Sequence, residues 1–111
     1  MNTNNQDSQI ESMRPEREQR REFVALARKG FRTSFELARS TGVPRRKLVV
    51  AHEEVMRGVV GLWYLGLWPK DIADFIGQIT ELEVMGVLRR HILITQGQLH
   101  ADLIKTLTST D

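Results

Sequence analysis

The chain has 111 residues, 41% of them hydrophobic, with no cysteine and a formal net charge of +2, which bounds it to one domain whose core lies near the lower limit of self-sufficiency. The missing cysteine excludes disulfides and thiolate metal sites and fits a cytoplasmic protein. Charge is unevenly laid out, with eleven Lys and Arg against six acids in residues 1–47 and five against eight in residues 48–111, so the basic half is expected either to meet an anionic partner or to dock on the acidic half.

The opening MNTNNQDSQIESM has no apolar run and reads as a disordered polar tail over residues 1–14 rather than a signal peptide. A single helical domain is expected over residues 15–111. Pro15 suits a first helical position, and Phe23, Leu26, Ala27 and Gly30/Phe31 then recur at three- and four-residue spacing. The spacing predicts an amphipathic helix ending near Lys29 with Gly30 as its cap. Thr33-Ser34-Phe35-Glu36 has the form of a capping box and marks a new helix, although one helix running through Gly30 would cost only about 1 kcal/mol. Arg and Glu interleave in PEREQRRE as on any exposed helix, so a solvated basic face and a nucleic-acid footprint are both open for this half.

Ala38, Gly42 and Leu48 supply, in order, the small residue, the left-handed turn glycine and the apolar anchor of a helix-turn-helix. Its second helix would begin at Pro44-Arg45-Arg46-Lys47, which makes Arg45, Arg46 and Lys47 candidate contacts to DNA or to an acidic partner. An αα-hairpin with a glycine turn fits the same residues. That second helix is expected to run on, long and central, from Arg45 to near Gly66, with Leu48, Val55, Val59, Leu62 and Trp63 on one face. Gly58 and Gly61 remove side chains where another backbone can approach.

Val59 to Trp68, VVGLWYLGLW, is apolar on all sides and must be covered on all sides. It is far shorter than the eighteen or so residues that span a bilayer, so the cover is expected to be protein, in part a second copy of the chain. Val59, Leu62, Trp63, Leu65, Leu67 and Trp68 are the candidate interface residues. Trp63, Tyr64 and Trp68 lack interleaved basic residues, which favours core or interface over base stacking.

Beyond Pro69, Ala73, Gly77 and Val84 echo Ala38, Gly42 and Leu48 as a weak internal repeat, and Thr80 with Glu83 forms a capping box for a helix through Arg90. The acidic start of that helix, Glu81 and Glu83, argues against its lying on phosphates. His91 to Thr95 reads as a short strand or a fraying helix end. Gln98 to Leu107 places Leu99, Leu103, Ile104 and Leu107 on one face of a closing helix, followed by a polar end.

Nothing points to catalysis. His52, His91 and His100 are not spaced as ligands on one helix, Glu53 and Glu54 beside His52 point about 100° apart, and no phosphate loop or nucleophile elbow is present. No enzyme activity, cofactor, metal, small-molecule substrate or membrane span is expected.

Over roughly residues 48–110, LWYLGLWPKDIADFIGQITELEVMGVL and the closing LHADLIKTLTST resemble the flagellar regulator family FlhD, whose apolar helix ends in Leu-Gly and is followed by small helices around an Ala and a leading Thr. The first 47 residues have no counterpart there. The resemblance implies an all-α dimer that acts in transcription with a protein partner. In size, helical character and apolar centre the chain is also similar to small bacterial antiactivators of the TraM and QslA type, which bind and block a quorum-sensing activator. The expectation is therefore an all-α, dimer-forming domain with helix-turn-helix-like units: a cytoplasmic transcription regulator that binds itself and another regulatory protein, such as a LuxR-type activator. The alternative is direct DNA binding through the Arg45-Arg46-Lys47 helix.

Overall fold

The computed structural model describes residues 15–108; the tail expected over residues 1–14 and the polar end at 109–111 lie outside the described residues. The described chain is all-helical, with α1 at Glu16–Thr41, α2 at Arg45–Ala51, α3 at Glu53–Tyr64, α4 at Pro69–Ile76 and α5 at Glu81–Thr108.

α1 does not stop at Lys29. It continues through Gly30, and the Thr33 hydroxyl, expected to cap a new helix, instead donates to the Lys29 carbonyl at 3.1 Å. The reason lies in α3, which crosses α1 antiparallel at close range. A Cβ on Gly30 would stand 2.8 Å from the Val55 backbone nitrogen, and one on Gly58 would stand 2.6 Å from Ala27 Cβ. One on Gly61 would press into the Phe23 ring. Gly30 is thus a packing glycine, Gly58 does admit a neighbouring backbone, that of α1 in the same chain, and Gly61 makes room for the Phe23 side chain rather than for backbone.

The expected long central helix is broken at His52. Its backbone is extended (ψ 126°), ending α2, and its Nδ1 accepts from the Glu54 N–H at 3.2 Å, capping α3. Capping by a side chain satisfies one of the orphan N–H groups every helix start exposes. Across the break both helices pack against α1 and α5; on the α2 side a Cβ on Gly86 of α5 would come 3.2 Å from Val50 Cγ2. α3 ends in a Schellman motif: Leu67 N–H donates to the Leu62 carbonyl and Gly66 N–H to the Trp63 carbonyl, with Gly66 at φ 94°.

The two Ala-Gly units share their cap. Gly42 N–H donates to Ala38 O at 3.0 Å and Gly77 N–H to Ala73 O at 2.9 Å, with φ of 74° and 72°. Their exits differ, because ψ is 1° at Gly42 and 156° at Gly77. Arg28 closes the end of α4, donating from Nε to the Ile76 carbonyl at 2.7 Å and from Nη2 to the Phe75 carbonyl at 3.0 Å, a cation placed on a helix C-terminus. The Thr80/Glu83 capping box is present: Thr80 N–H donates to Glu83 Oε1 and Glu83 N–H to Thr80 Oγ1, both at 3.1 Å.

α5 then runs through His91–Thr95, where a short strand or a fraying helix end was expected, and through the expected separate closing helix as one unbroken element. Ordinary i to i−4 bonds satisfy this stretch internally, whereas a lone strand would have had no neighbour to pair with. The core is small: Ala27 and Phe31 from α1, Val49 from α2, Val55, Val59, Val60 and Leu62 from α3, Ile72, Ala73 and Ile76 from α4, Ile79, and Val84, Val87 and Leu88 from α5.

Candidate interaction surface

The VVGLWYLGLW stretch divides between inside and outside. Val59 and Leu62, expected at an interface, are 0% exposed within the protomer, because α3 turns that face to α1 and the core. Leu65 and Leu67 are half-buried. Trp63 and Trp68 are 40% and 70% exposed and meet edge to face at 6.3 Å. Beside them lies a hollow of about 200 Å³ lined by Trp63, Pro69, Met85, Leu88, Arg89, His91 and Ile92. The His91 ring meets Tyr64 edge-on at 6.2 Å.

From this hollow an apolar stripe continues along α5. Leu82, Met85, Arg89, Ile92, Gln96, Leu99, Leu103 and Thr106 follow one another at alternating spacings of three and four, which keeps them on one side of a helix. The core-facing Val84 and Val87 lie about 150° round the helix from that stripe at about 100° per residue. Leu82 is 74% exposed, and every residue from Ile92 to Thr108 is exposed. Met85 is half-buried where the hollow meets Trp63 and Pro69, whereas Ile92, Leu99 and Leu103 stand exposed.

The second surface is basic. Three hollows follow the outer face of α1: one of about 400 Å³ with Arg17, Arg20, Arg21, Val24, Ala25, Arg28 and Phe75, a middle one of about 360 Å³ with Arg28, Arg32, Ile76, Gly77 and Gln78, and one of about 570 Å³ with Phe31, Arg32, Phe35, Glu36, Arg39, Arg45 and Gln78. Three guanidiniums stack on rings here: Arg20 on Phe75 at 5.0 Å, Arg39 on Phe35 at 4.7 Å and Arg45 on Phe31 at 4.8 Å. Two of these three are also ion-paired, Arg20 with Glu16 at 3.8 Å and Arg45 with Glu83 at 2.8 Å.

Of the three basic residues singled out from the sequence, Arg45 turns inward. Its Nη2 donates to Glu83 Oε1 at 2.8 Å and to the Gln78 carbonyl at 2.9 Å, joining the start of α2 to the start of α5. Arg46 and Lys47 are exposed. The sequence reading missed the arginine row and the full length of the α5 stripe. Both were legible as spacing: 17, 21, 24, 28, 32, 35 and 39 on α1 follow the same three-and-four rule.

Among the described residues no group of three His, Asp or Glu could hold a metal ion, and no helix is long and apolar enough to cross a membrane. No family model, curated protein or solved structure matches the chain.

Proposed function

We propose that this protein is a small regulator of transcription that homodimerises and acts by binding another regulatory protein. The observation that carries this reading is the uncovered apolar surface, from Trp63 and Trp68 at the hollow to Leu103 on α5. Contiguous apolar patches of this extent mark protein contacts. The likeness of residues 48–110 to the FlhD family, and the general likeness to antiactivators, supply the transcriptional context. The arginine row suits an acidic surface on the partner, the charge complementarity that steers regulatory proteins together.

Direct DNA binding is the second reading, and the same arginine row favours it, since guanidiniums spaced along one side of a helix are suited to phosphates. It would use α1 with Arg46 and Lys47 rather than Arg45, which is committed to Glu83. Titration with duplex DNA at two salt concentrations separates the two. Phosphate contacts give an affinity that falls steeply with salt; absence of DNA binding at low salt leaves the protein-binding reading. Sedimentation of the full chain at micromolar concentration tests the homodimer, and a monomer there removes it.

A further inference from the structure

We infer that α5 is the homodimer seam, pairing antiparallel with α5 of a second copy; this deepens the homodimer reading above and rests on it. The stripe from Leu82 to Thr106, apolar at Leu82, Met85, Ile92, Leu99 and Leu103, spans about 38 Å at 1.5 Å per residue and about 10 Å across, roughly 400 Å² in projection, within the range of about 300–600 Å² of the largest and often functional patch on a soluble monomer. A second copy fits it better than an unrelated helix for two reasons.

The first is the pattern. Strict three-and-four spacing along one helix is the seam of paired helices, and such a stripe is its own complement. The face that would be buried in the pair is separate from the face carrying Val84 and Val87, so pairing leaves the protomer core intact.

The second is charge. Arg89 is the one charged residue within the stripe, and Asp102, whose Oδ1 accepts from Gln98 Nε2 at 3.1 Å, flanks it about three and a half turns further on. A parallel pair would set Arg89 against its own counterpart across the seam. An antiparallel pair sets each Arg89 beside the partner's Asp102, twice by symmetry, and carries the Leu99 and Leu103 end of one helix to the apolar hollow at Trp63 on the other. The same arrangement covers Leu82, Ile92, Leu99 and Leu103 together, all of them half to three-quarters exposed in the single protomer.

The experiment is sedimentation equilibrium on the full chain and five variants, with circular dichroism to follow the fold. Leu99→Asp and Leu103→Asp alter exposed positions, so helicity is retained, and each weakens the dimer about thirtyfold or more, as for residues at an interface centre. Arg89→Asp and Asp102→Arg each weaken it by about fivefold, and the double variant, which reverses the pair, returns to near wild type. A wild-type dimer indifferent to Leu99→Asp and Leu103→Asp overturns the seam while leaving the homodimer standing. Loss without rescue in the charge-reversed double variant overturns the antiparallel pairing. A wild-type chain that sediments as monomer removes homodimer and seam together.

Discussion

Replacing Gly58 by Ala tests the close crossing of α1 and α3, and replacing Gly97 by Ala supplies its control. Both glycines lie inside helices, where alanine is favoured by about 1 kcal/mol. At Gly97 the new methyl meets nothing within 4 Å, so the variant should be stabilised by about 0.5–1 kcal/mol. At Gly58 it would stand 2.5 Å from the Phe23 carbonyl oxygen, 2.6 Å from Ala27 Cβ and 2.7 Å from the Ala27 nitrogen. Carbon atoms prefer about 3.5–4.0 Å, so the helices must part by roughly an ångström, and two of the three obstacles are backbone that cannot rotate away. Overpacking of this kind costs about 1–3 kcal/mol. Taking the upper end because backbone is involved, and subtracting the helical gain of about 1 kcal/mol, leaves a net loss of about 2 kcal/mol. For a domain of this size that lowers Tm by on the order of 10 °C. Thermal unfolding followed by circular dichroism at one protein concentration, with urea titration to check that the slope is unchanged, reads both variants. A Gly58→Ala protein melting at or above wild type would refute the crossing.

Other positions give further expected outcomes. His52→Ala removes the cap of α3 and should cost about 1 kcal/mol in urea unfolding, whereas His52→Asn, which can still accept from Glu54 N–H, should cost less. Arg28→Ala should destabilise by about 1 kcal/mol through loss of the charged cap on α4, and Arg28→Lys should recover little of it, because one ammonium cannot reproduce the forked contact to two carbonyls; parallel melts of the two variants check this. Leu62→Ala, in the core, should lose about 2–5 kcal/mol at every protein concentration. Trp68→Ala should leave the low-concentration melt unchanged and reduce only its rise with concentration, the signature of linked association; equal losses at all concentrations would place Trp68 in the fold rather than at a contact.

The all-helical class, the start of α1 after Pro15, the turns at Gly42 and Gly77 and the capping box at Thr80 were legible from the sequence, because each depends on a few neighbouring residues and their backbone chemistry. Gly30, His52 and residues 91–95 were not. Gly30 has the local properties of a cap, and only the arrival of α3 against it keeps α1 continuous. His52 has no local mark of a break; its extended backbone turns the chain so that α2 and α3 each pack against both α1 and α5. The β-branched run at 91–95 is helical because α5 satisfies its own hydrogen bonds where no strand stands beside it. Likewise the apolar character of VVGLWYLGLW was legible, but its composition is the same on every side. Tertiary packing alone decided that Val59 and Leu62 go inward against α1 while Trp63 and Trp68 stay at the surface, because direction round a helix acquires meaning only when a neighbouring element occupies one side of it.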